Sequence, residues 1–201
     1  MRIYLLRHGE TDWNVARKIQ GHTDIDLNSN GIRQAKSWLP FFDQISLAGV
    51  YSSSLSRAME TARLASGRAP CVVDGLNERN YGEWEGCRWH DLAAEDVNFD
   101  RRWKLPHSAP PGGESRFQLQ ARVHSAMESI ISSHDDGSEI LIVAHGGSGK
   151  AVLGYANKLP IEMLAALPAL RNAGVTVLRG EGDCWNIEEE MTPVDLPVLN
   201  F

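Results

Sequence analysis

Cysteine is scarce in this sequence, with three residues among 201, at positions 71, 87 and 184. An odd number of widely separated cysteines, with no Cys-x-x-Cys pair, excludes a disulfide-built scaffold and is typical of a reducing compartment. Long apolar runs are also absent, since none approaches the roughly 18 residues that a membrane-spanning helix needs. Only four apolar residues lead into Arg7, too few for the core of a signal peptide. We therefore expect a cytoplasmic protein without a membrane segment.

The sequence also lacks a surplus of positive charge, because its formal net charge is -6. This excludes a general nucleic-acid binder and a protein that coats acidic membranes. A small cationic pocket stays compatible with it, since the total charge does not set the local one. The composition is globular, with 42% hydrophobic and 23% charged residues. The length suits one domain, residues 1–201, and we leave the oligomeric state open, with a homodimer as one alternative.

Strand-like and helix-like segments alternate along the chain, as they do in α/β proteins. Apolar, β-prone runs predict strands over residues 3–6, 47–52, 71–73 and 139–144. Helical spacing of apolar residues predicts helices over residues 31–42, with an end or a bend at Pro40, around 57–65, over 114–133 and beyond 146. A late pair of strands, over residues 174–178 and 185–187, is typical of an antiparallel edge. The order predicts an α/β fold with a mostly parallel central sheet, helices on both faces and an antiparallel edge strand.

Two of the predicted strands end in the same residue types. The run at 3–6 leads into Arg7 and His8, and the run at 139–144 leads into His145. If these strands are parallel neighbours, both imidazoles lie at the edge where open α/β sheets bind ligands. Arg57 lies in the first turn of the helix after the second strand, which places it at the same edge.

Such a cluster of two guanidiniums and two imidazoles repels itself unless an anion lies among its members. A phosphate suits it, because the arginine fork donates two parallel hydrogen bonds, and Asn14 could add a neutral donor. An imidazole such as His8 can be a nucleophile if one ring nitrogen is unprotonated and the other donates to a fixed acceptor. A carboxylic acid must then protonate the departing alkoxide and later activate water. Glu78 and Glu83, in a segment rich in acidic and aromatic residues, are both candidates.

Leu-Arg-His-Gly-Glu-Thr at residues 6–11 resembles the signature of the histidine phosphatase superfamily, the phosphoglycerate-mutase-like proteins. The resemblance continues, in order, at residues 51–62, 76–86, 111–115 and 143–147. The opening third and the Gly-Glu-Trp-Glu-Gly run at 82–86 are most similar to short phosphatase members, such as α-ribazole phosphatases or broad-specificity phosphatases. The resemblance implies a three-layer α/β/α sandwich with a lid-like excursion at residues 80–115.

The resemblance also implies catalytic roles. His8 would carry the phosphoryl group as a phosphohistidine. Arg7, Arg57 and His145 would hold that group, with Asn14 assisting. By its position in the motif, Glu78 rather than Glu83 would be the proton donor.

The implied reaction is hydrolysis of a small phosphorylated metabolite, a phosphomonoester, with no metal and no cofactor. Four residues would contact the substrate: Gln20, Gly21, Tyr81 and Gly146. Phosphoglycerate mutase activity is one alternative. The glycolytic mutases resembled here carry an insertion before the second histidine that this sequence largely lacks, which favours hydrolysis. A non-catalytic member that binds a phosphorylated ligand is the other alternative, although the intact catalytic set argues against it.

Two unrelated readings are less favoured. A nucleotide-binding Walker loop at residues 144–151 would need glycine at Ala144 and a magnesium-binding hydroxyl at Ala151. Without that loop, Lys150 is expected on the helix surface. A metal hydrolase using His8, His145 and Glu78 is disfavoured because no His-x-x-x-His or cysteine cluster supports it and neighbouring arginines would repel a cation.

Overall fold

The computed structural model describes residues 1–95, 99, 103, 105–181 and 184–192, with only the backbone described for Glu95 and Cys184. Six strands in that part of the chain form one sheet. They are β1 (Arg2–Arg7), β2 (Leu47–Ser52), β3 (Cys71–Val72), β4 (Glu139–Ala144), β5 (Val175–Glu181) and β6 (Cys184–Met191). Their order across the sheet is β3-β2-β4-β1-β5-β6.

The sheet is mostly parallel, with an antiparallel edge. β1 pairs in parallel with β4, β4 with β2, and β2 with β3. β5 is antiparallel to β1, and β6 is antiparallel to β5. The predicted sheet is therefore confirmed. β6 extends well beyond the predicted residues 185–187, because pairing along β5 outweighs the poor strand propensity of its glutamates.

Helices lie on both faces of this sheet. The helices in the described part of the chain are α1 (Asp12–Val15), α2 (Ser29–Lys36), α3 (Leu39–Phe42), α4 (Ser56–Ser66), α5 (Trp89–Glu95), α6 (Arg116–Ser132) and α7 (Gly146–Ala156). Short 3₁₀ turns lie at Asp74–Leu76, Gly82–Trp84 and Ile161–Ala165. Within the described residues, none of the helices combines the length and the apolar character that crossing a membrane requires.

The core consists of two apolar layers, one on each face of the sheet. In β1, Ile3 and Leu5 belong to the layer beneath α6 and α7, whereas Tyr4 and Leu6 belong to the layer beneath α3 and α4. This division follows from the period of two along a strand. Burial on both faces also explains the continuous apolar run of β4. The three-layer α/β/α sandwich is confirmed.

The helix predicted over residues 31–42 is two helices, α2 and α3. α2 begins after Asn28, whose side chain accepts a hydrogen bond from Gly31 N at 2.8 Å, and it ends at Lys36. Pro40 lies in the first turn of α3, where the missing backbone N–H costs no helical hydrogen bond. The chain therefore turns before the proline rather than at it.

The lid-like excursion predicted at residues 80–115 is described only in part. In the described part, Tyr81, Trp84 and Phe99 form a third apolar cluster with Ile19, and Trp103 packs against it. The rings of Tyr81 and Trp103 are nearly parallel, with centroids 5.4 Å apart. The excursion therefore contributes a wall of stacked aromatic rings. Its action as a lid, and the single domain at 1–201, stay predictions.

Candidate active site

The two histidines singled out in the sequence lie side by side. β1 and β4 are parallel neighbours with Arg7 opposite Ala144, so the next residues, His8 and His145, meet with ring centroids 5.0 Å apart. Both are buried, with 3% and 0% of their surface exposed. Burial first, and then the positive charges of Arg7 and Arg57, hold the pKa of both imidazoles well below the ordinary value. Both rings are therefore neutral at physiological pH.

Gly9 sets the tautomer of His8. The Nδ1 atom of His8 lies 2.7 Å from the carbonyl oxygen of Gly9. A carbonyl only accepts, so Nδ1 carries the hydrogen and Nε2 keeps a free lone pair. A β-carbon at Gly9 would lie 2.6 Å from the carbonyl oxygen of Gly31. This close approach restricts position 9 to glycine, the residue whose carbonyl oxygen accepts from His8 Nδ1.

Arg57 is held rigidly by the loop before α2. Its side chain is fully buried. Nη2 donates to the carbonyl of Gly21 at 2.8 Å, and Nη1 donates to the carbonyl of Thr23 at 3.2 Å. Nη1 also lies 4.0 Å from a carboxylate oxygen of Asp24. Gly21, a predicted substrate contact, is buried, and its carbonyl positions Arg57.

Arg7 points over the first turn of α7. Its Nη1 donates to the carbonyl of Leu170 at 2.5 Å. A β-carbon built on Gly146 would lie 3.9 Å from Arg7 Cζ and 3.7 Å from Glu78 Oε2. The guanidinium and the carboxylate thus lie on either side of the space above Gly146.

Glu78 is bound at the N-terminus of α7. Its Oε2 accepts from Gly147 N at 2.9 Å, and its Oε1 accepts from Ser148 N at 3.2 Å and Arg79 N at 2.7 Å. The residue is 7% exposed. Glu83, the other candidate acid, is exposed and does not line the cavity next to Arg7. Of the two carboxylates, the structure brings only Glu78 to the histidines.

Buried polar atoms without a hydrogen-bond partner among the described residues concentrate here. They include Nε of Arg7, Nε of Arg57 and Nδ1 of His145. His145 Nε2 lies 2.7 Å from the hydroxyl of Ser53, so one side of that ring is anchored and the other is unused. Because buried polar groups in proteins are almost always paired, these atoms indicate a site for a ligand rich in acceptors.

Asn14 and Gln20 lie beside this cluster and are held by Thr11. Asn14 Oδ1 accepts from Thr11 N and from Asn172 Nδ2, each at 3.1 Å, which leaves its amide nitrogen for a ligand. Gln20 Nε2 donates to Thr11 Oγ1 at 2.6 Å, and its buried Oε1 has no partner among the described residues. Sequence reasoning missed Asn172, which also donates to the His8 carbonyl at 3.1 Å. No motif marked it, since it comes from the segment before β5.

A cavity of about 270 Å³ adjoins the histidines through Arg7. Its polar lining is Arg7, Glu78, Arg79, Arg116 and Lys150, and its other lining residues are Tyr81, Trp103, Leu119, Gly146, Gly147, Leu164, Ala165, Ala169 and Leu170. Tyr81 and Gly146, two predicted substrate contacts, are among them. The expectation that Lys150 lies on the helix surface is wrong, because Lys150 is half-buried and faces this cavity.

The described residues contain no group of three or more His, Cys, Asp or Glu side chains that could hold a metal ion. The candidate site is therefore a set of cationic and imidazole donors around His8, with one carboxylate. Such a set can bind an oxyanion and pass a proton to or from it.

Comparison with known proteins identifies a family. A family model described as histidine phosphatase superfamily (branch 1) matches residues 3–191. The chain is 34% identical over 196 residues to a metal-independent phosphoserine phosphatase of Arabidopsis thaliana, covering 92% of this chain and 79% of that protein. It is 35% identical over 191 residues to the adenosylcobalamin/α-ribazole phosphatase of Salmonella typhimurium, covering 92% and 89%.

A solved structure is similar over nearly the whole chain. It is a mycobacterial glucosyl-3-phosphoglycerate phosphatase complexed with VO3, with a TM-score of 0.85 and 30% sequence identity. The match covers 93% of this chain and 96% of the other. The sheet and its helices are thus shared with an enzyme of this group.

Proposed function

The chain belongs to the histidine phosphatase superfamily, and on that premise we propose that it hydrolyses a small phosphomonoester through a phosphohistidine formed on His8. Its relatives, which include a metal-independent phosphoserine phosphatase, identify it as a metal-independent phosphatase. The residue roles below are the part that we propose.

The observation that carries the proposal is the set of unpaired buried nitrogens around His8. A phosphoryl group would give Nε of Arg7 and Nε of Arg57 the acceptors that they lack. If the Ser53 hydroxyl donates to His145 Nε2, then Nδ1 of His145 carries a hydrogen and becomes a further donor. Charge developing on the phosphoryl oxygens would be stabilised by groups already in place.

The reaction has two halves. His8 Nε2 attacks phosphorus, the P–N bond forms as the P–O ester bond breaks, and Glu78 gives its proton to the departing oxygen. Water then attacks phosphorus and gives a proton to Glu78, and the new P–O bond forms as the P–N bond breaks, which releases inorganic phosphate and restores His8 and the protonated Glu78. The lowered pKa of His8 supports its role as the nucleophile, because a neutral ring can attack phosphorus without first losing a proton.

We propose a compact metabolite as substrate, since a cavity of about 270 Å³ is at or below the small end of ligand sites. Relatives named as acting on α-ribazole phosphate, phosphoserine or glucosyl-3-phosphoglycerate define the first candidates. We also propose a cytoplasmic location, supported by the free thiols of Cys71 and Cys87. A homodimer stays a prediction, which light scattering on the purified protein would check.

The test is a phosphate-release screen over phosphoserine, 3-phosphoglycerate, α-ribazole phosphate and a generic aryl phosphate, with and without excess chelator. Mutase activity is measured separately on 3-phosphoglycerate. We expect release that survives chelation and exceeds any mutase rate. Mutase turnover above phosphate release, or no turnover on any phosphomonoester, would contradict the proposal.

A second measurement addresses the intermediate. Rapid quenching with ³²P-labelled substrate should give labelled protein that is labile in acid and stable in base, as a phosphoramidate is. The label should be missing in His8→Ala and present in the matched variant His90→Ala, because His90 is exposed. Label that survives in His8→Ala would assign the nucleophile elsewhere.

A further inference from the structure

Three cations line the cavity beyond the proposed phosphoryl site: Arg79, Arg116 and Lys150. The hydrolytic steps use none of them. Holding three positive side chains against one small space is unfavourable unless they are neutralised or otherwise committed. Their partners therefore decide what this part of the cavity can bind.

Arg79 is committed to the fold. It is 1% exposed, its Nε donates to the carbonyl of Glu114 at 2.7 Å, and its Nη2 donates to the carbonyl of Ser108 at 3.1 Å. Its guanidinium also lies over the ring of Tyr81, 5.3 Å from the centroid. These contacts position the aromatic wall and leave Arg79 little capacity for a ligand.

Arg116 is only partly committed. One terminal nitrogen, Nη2, donates to the carbonyl of Trp103, and the guanidinium lies 5.9 Å from the centroid of the Trp103 ring. The other terminal nitrogen, Nη1, is buried and has no hydrogen-bond partner among the described residues. Arg116 thus keeps a desolvated donor in the wall of the cavity.

Lys150 reaches the same cavity from α7. Its Nζ donates to the carbonyl of Leu167 at 2.6 Å, which leaves two of its three N–H groups for other acceptors. Burial and the charge of Arg116 lower the pKa of Lys150, and burial and the charge of Arg79 lower the pKa of Arg116. Both cations line the same cavity, where their like charges repel each other.

Neither Arg116 nor Lys150 forms an ion pair within the part of the chain that the structure describes. The nearby Glu114 is already used, because its carboxylate binds Arg122 at 2.7 Å. Glu78 is bound by three backbone N–H groups. Among the described residues, the cavity thus offers two cations that lack a carboxylate partner.

The remaining wall is apolar and aromatic. Tyr81 and Trp103 present stacked rings, and the other apolar side chains that line the cavity are Leu119, Leu164, Ala165, Ala169 and Leu170. A polyhydroxylated sugar would find few hydrogen-bond partners there. A planar or apolar carbon skeleton would bury its surface well.

We propose that Arg116 and Lys150 form a second-anion site that binds a second anionic group of the substrate, a carboxylate or a second phosphate, carried on a compact planar or apolar skeleton. This inference rests on the proposed function, because it takes the reacting phosphoryl group to lie at the Arg7 end of the same cavity. As a substrate, α-ribazole phosphate, which has no second anionic group, should therefore rank below phosphomonoesters that carry a carboxylate or a second phosphate.

Binding of two matched phosphonates tests the site without requiring turnover. The probes are 4-(carboxymethyl)phenylphosphonate and its carboxamide, which differ by one negative charge at the far end. We expect calorimetry on the wild-type protein to give at least about tenfold tighter binding of the carboxylate, from one or two charge-assisted hydrogen bonds.

The preference should fall below about threefold in Arg116→Gln and in Lys150→Met. It should persist in Arg33→Gln and Lys36→Met, which remove the same charges from exposed positions of α2. Because the preference is a ratio within one protein sample, a partly folded variant does not distort it. A third probe, 4-(phosphonomethyl)phenylphosphonate, carries a phosphonate where the first carries a carboxylate. Its affinity for the wild-type protein, for Arg116→Gln and for Lys150→Met shows whether the site prefers a second phosphate or a carboxylate.

Equal wild-type affinity for the two probes, or a preference that survives in both Arg116→Gln and Lys150→Met, would overturn the second-anion site. Hydrolysis of a plain aryl phosphate by the wild-type protein is measured alongside. If the wild-type protein hydrolyses the aryl phosphate but shows no preference between the probes, this inference alone is refuted. If the wild-type protein neither hydrolyses the aryl phosphate nor forms the labelled phosphohistidine, the proposed function is refuted.

Discussion

The phosphoryl end of the cavity (Arg7, His8, Arg57 and His145) and its far end (Arg116 and Lys150 with the aromatic wall) are built in different ways. At the phosphoryl end, Arg7, His8 and His145 lie at the ends of β1 and β4, and Arg57 lies in the first turn of α4, next to β2. Backbone carbonyls accept hydrogen bonds from Arg7, His8 and Arg57. At the far end, they come from helices and from the excursion between residues 80 and 115. The first end is a fixed product of the sheet, and the second is assembled from segments that can vary without disturbing it.

This difference predicts that the two ends of the cavity have separate roles in catalysis and in substrate preference. Substitutions at the phosphoryl end should cost rate on every substrate, because all phosphomonoesters share the reacting group. Substitutions at the far end should change which substrate is preferred. The following experiments test that division, from the largest expected effect to the smallest.

The variant His8→Ala should lower kcat for an aryl phosphate by roughly 10⁴–10⁶-fold, as loss of a nucleophile does in other covalent enzymes. The steady-state and single-turnover rates of this variant should agree, because the slowed chemical step limits both. The exposed His90→Ala serves as the control. A residual rate within about a hundredfold of wild type would rule out His8 as the only nucleophile.

The variant Glu78→Gln should lower kcat by about 10²–10⁴-fold, the usual contribution of a general acid–base group. Glu83→Gln should stay within about threefold of wild type, because Glu83 is exposed and lies outside the cavity lining. A substrate with a good leaving group, such as 4-nitrophenyl phosphate, should reduce the loss in Glu78→Gln. The reverse ranking of the two variants would reassign the acid.

The variant Arg57→Ala should cost on the order of 10²–10³ in kcat, comparable to removing one donor to a developing oxyanion. Arg63→Ala is the matched control, since Arg63 lies on the same helix but is exposed and paired with Glu60. The loss in Arg57→Ala should be similar across all substrates. A loss confined to one substrate would place Arg57 at the far end instead.

Glu85 links the two ends and should affect stability more than rate. Its carboxylate accepts from His22 N, Thr23 N and Tyr81 N at 2.9, 2.6 and 3.0 Å, and from Thr23 Oγ1 at 2.5 Å. It thereby ties the loop that holds Arg57 to the excursion. Glu85→Ala should lower the free energy of unfolding by about 1–3 kcal/mol, the cost of leaving such donors unpaired.

The same residue predicts a pH dependence. Burial raises the pKa of Glu85, but the hydrogen bonds from Thr23, His22 and Tyr81 outweigh it and bring the pKa below its usual value. Its stabilising contribution is therefore complete above the unfolded pKa and is lost as pH falls through the folded one. Denaturant unfolding between pH 6 and pH 3 should show a shallower decline in Glu85→Ala than in wild type, and parallel curves would contradict this.

The phosphoryl end was largely predictable from the sequence, and the far end was not. Parallel strands with a shared ending bring His8 and His145 together by register alone, and Arg57 follows from its place in the first turn of α4. Arg116 follows a helix cap that looks ordinary in the sequence. Lys150 appeared to be a surface residue because helical spacing gives a residue's face but not what covers it.

Other contacts escaped prediction for the same physical reason. Asn172 and Ser53 act through hydrogen bonds to residues far away in the chain, and no local pattern marks such partners. Glu85 lies in a segment whose acidic character is plain in the sequence, yet the donors that its carboxylate binds could be assigned only once the loop at residues 20–24 was in place. The break between α2 and α3 comes before Pro40 rather than at it, because a proline fits the first turn of a helix.

The adjacency of β1 and β4 has a consequence for how activity first arises in a refolding chain. β1 ends at Arg7 and β4 begins only at Glu139, so their pairing is a long-range event with a high loop-closure cost. Neither half of the polypeptide contains both His8 and His145, and regained turnover would signal that the two halves have joined.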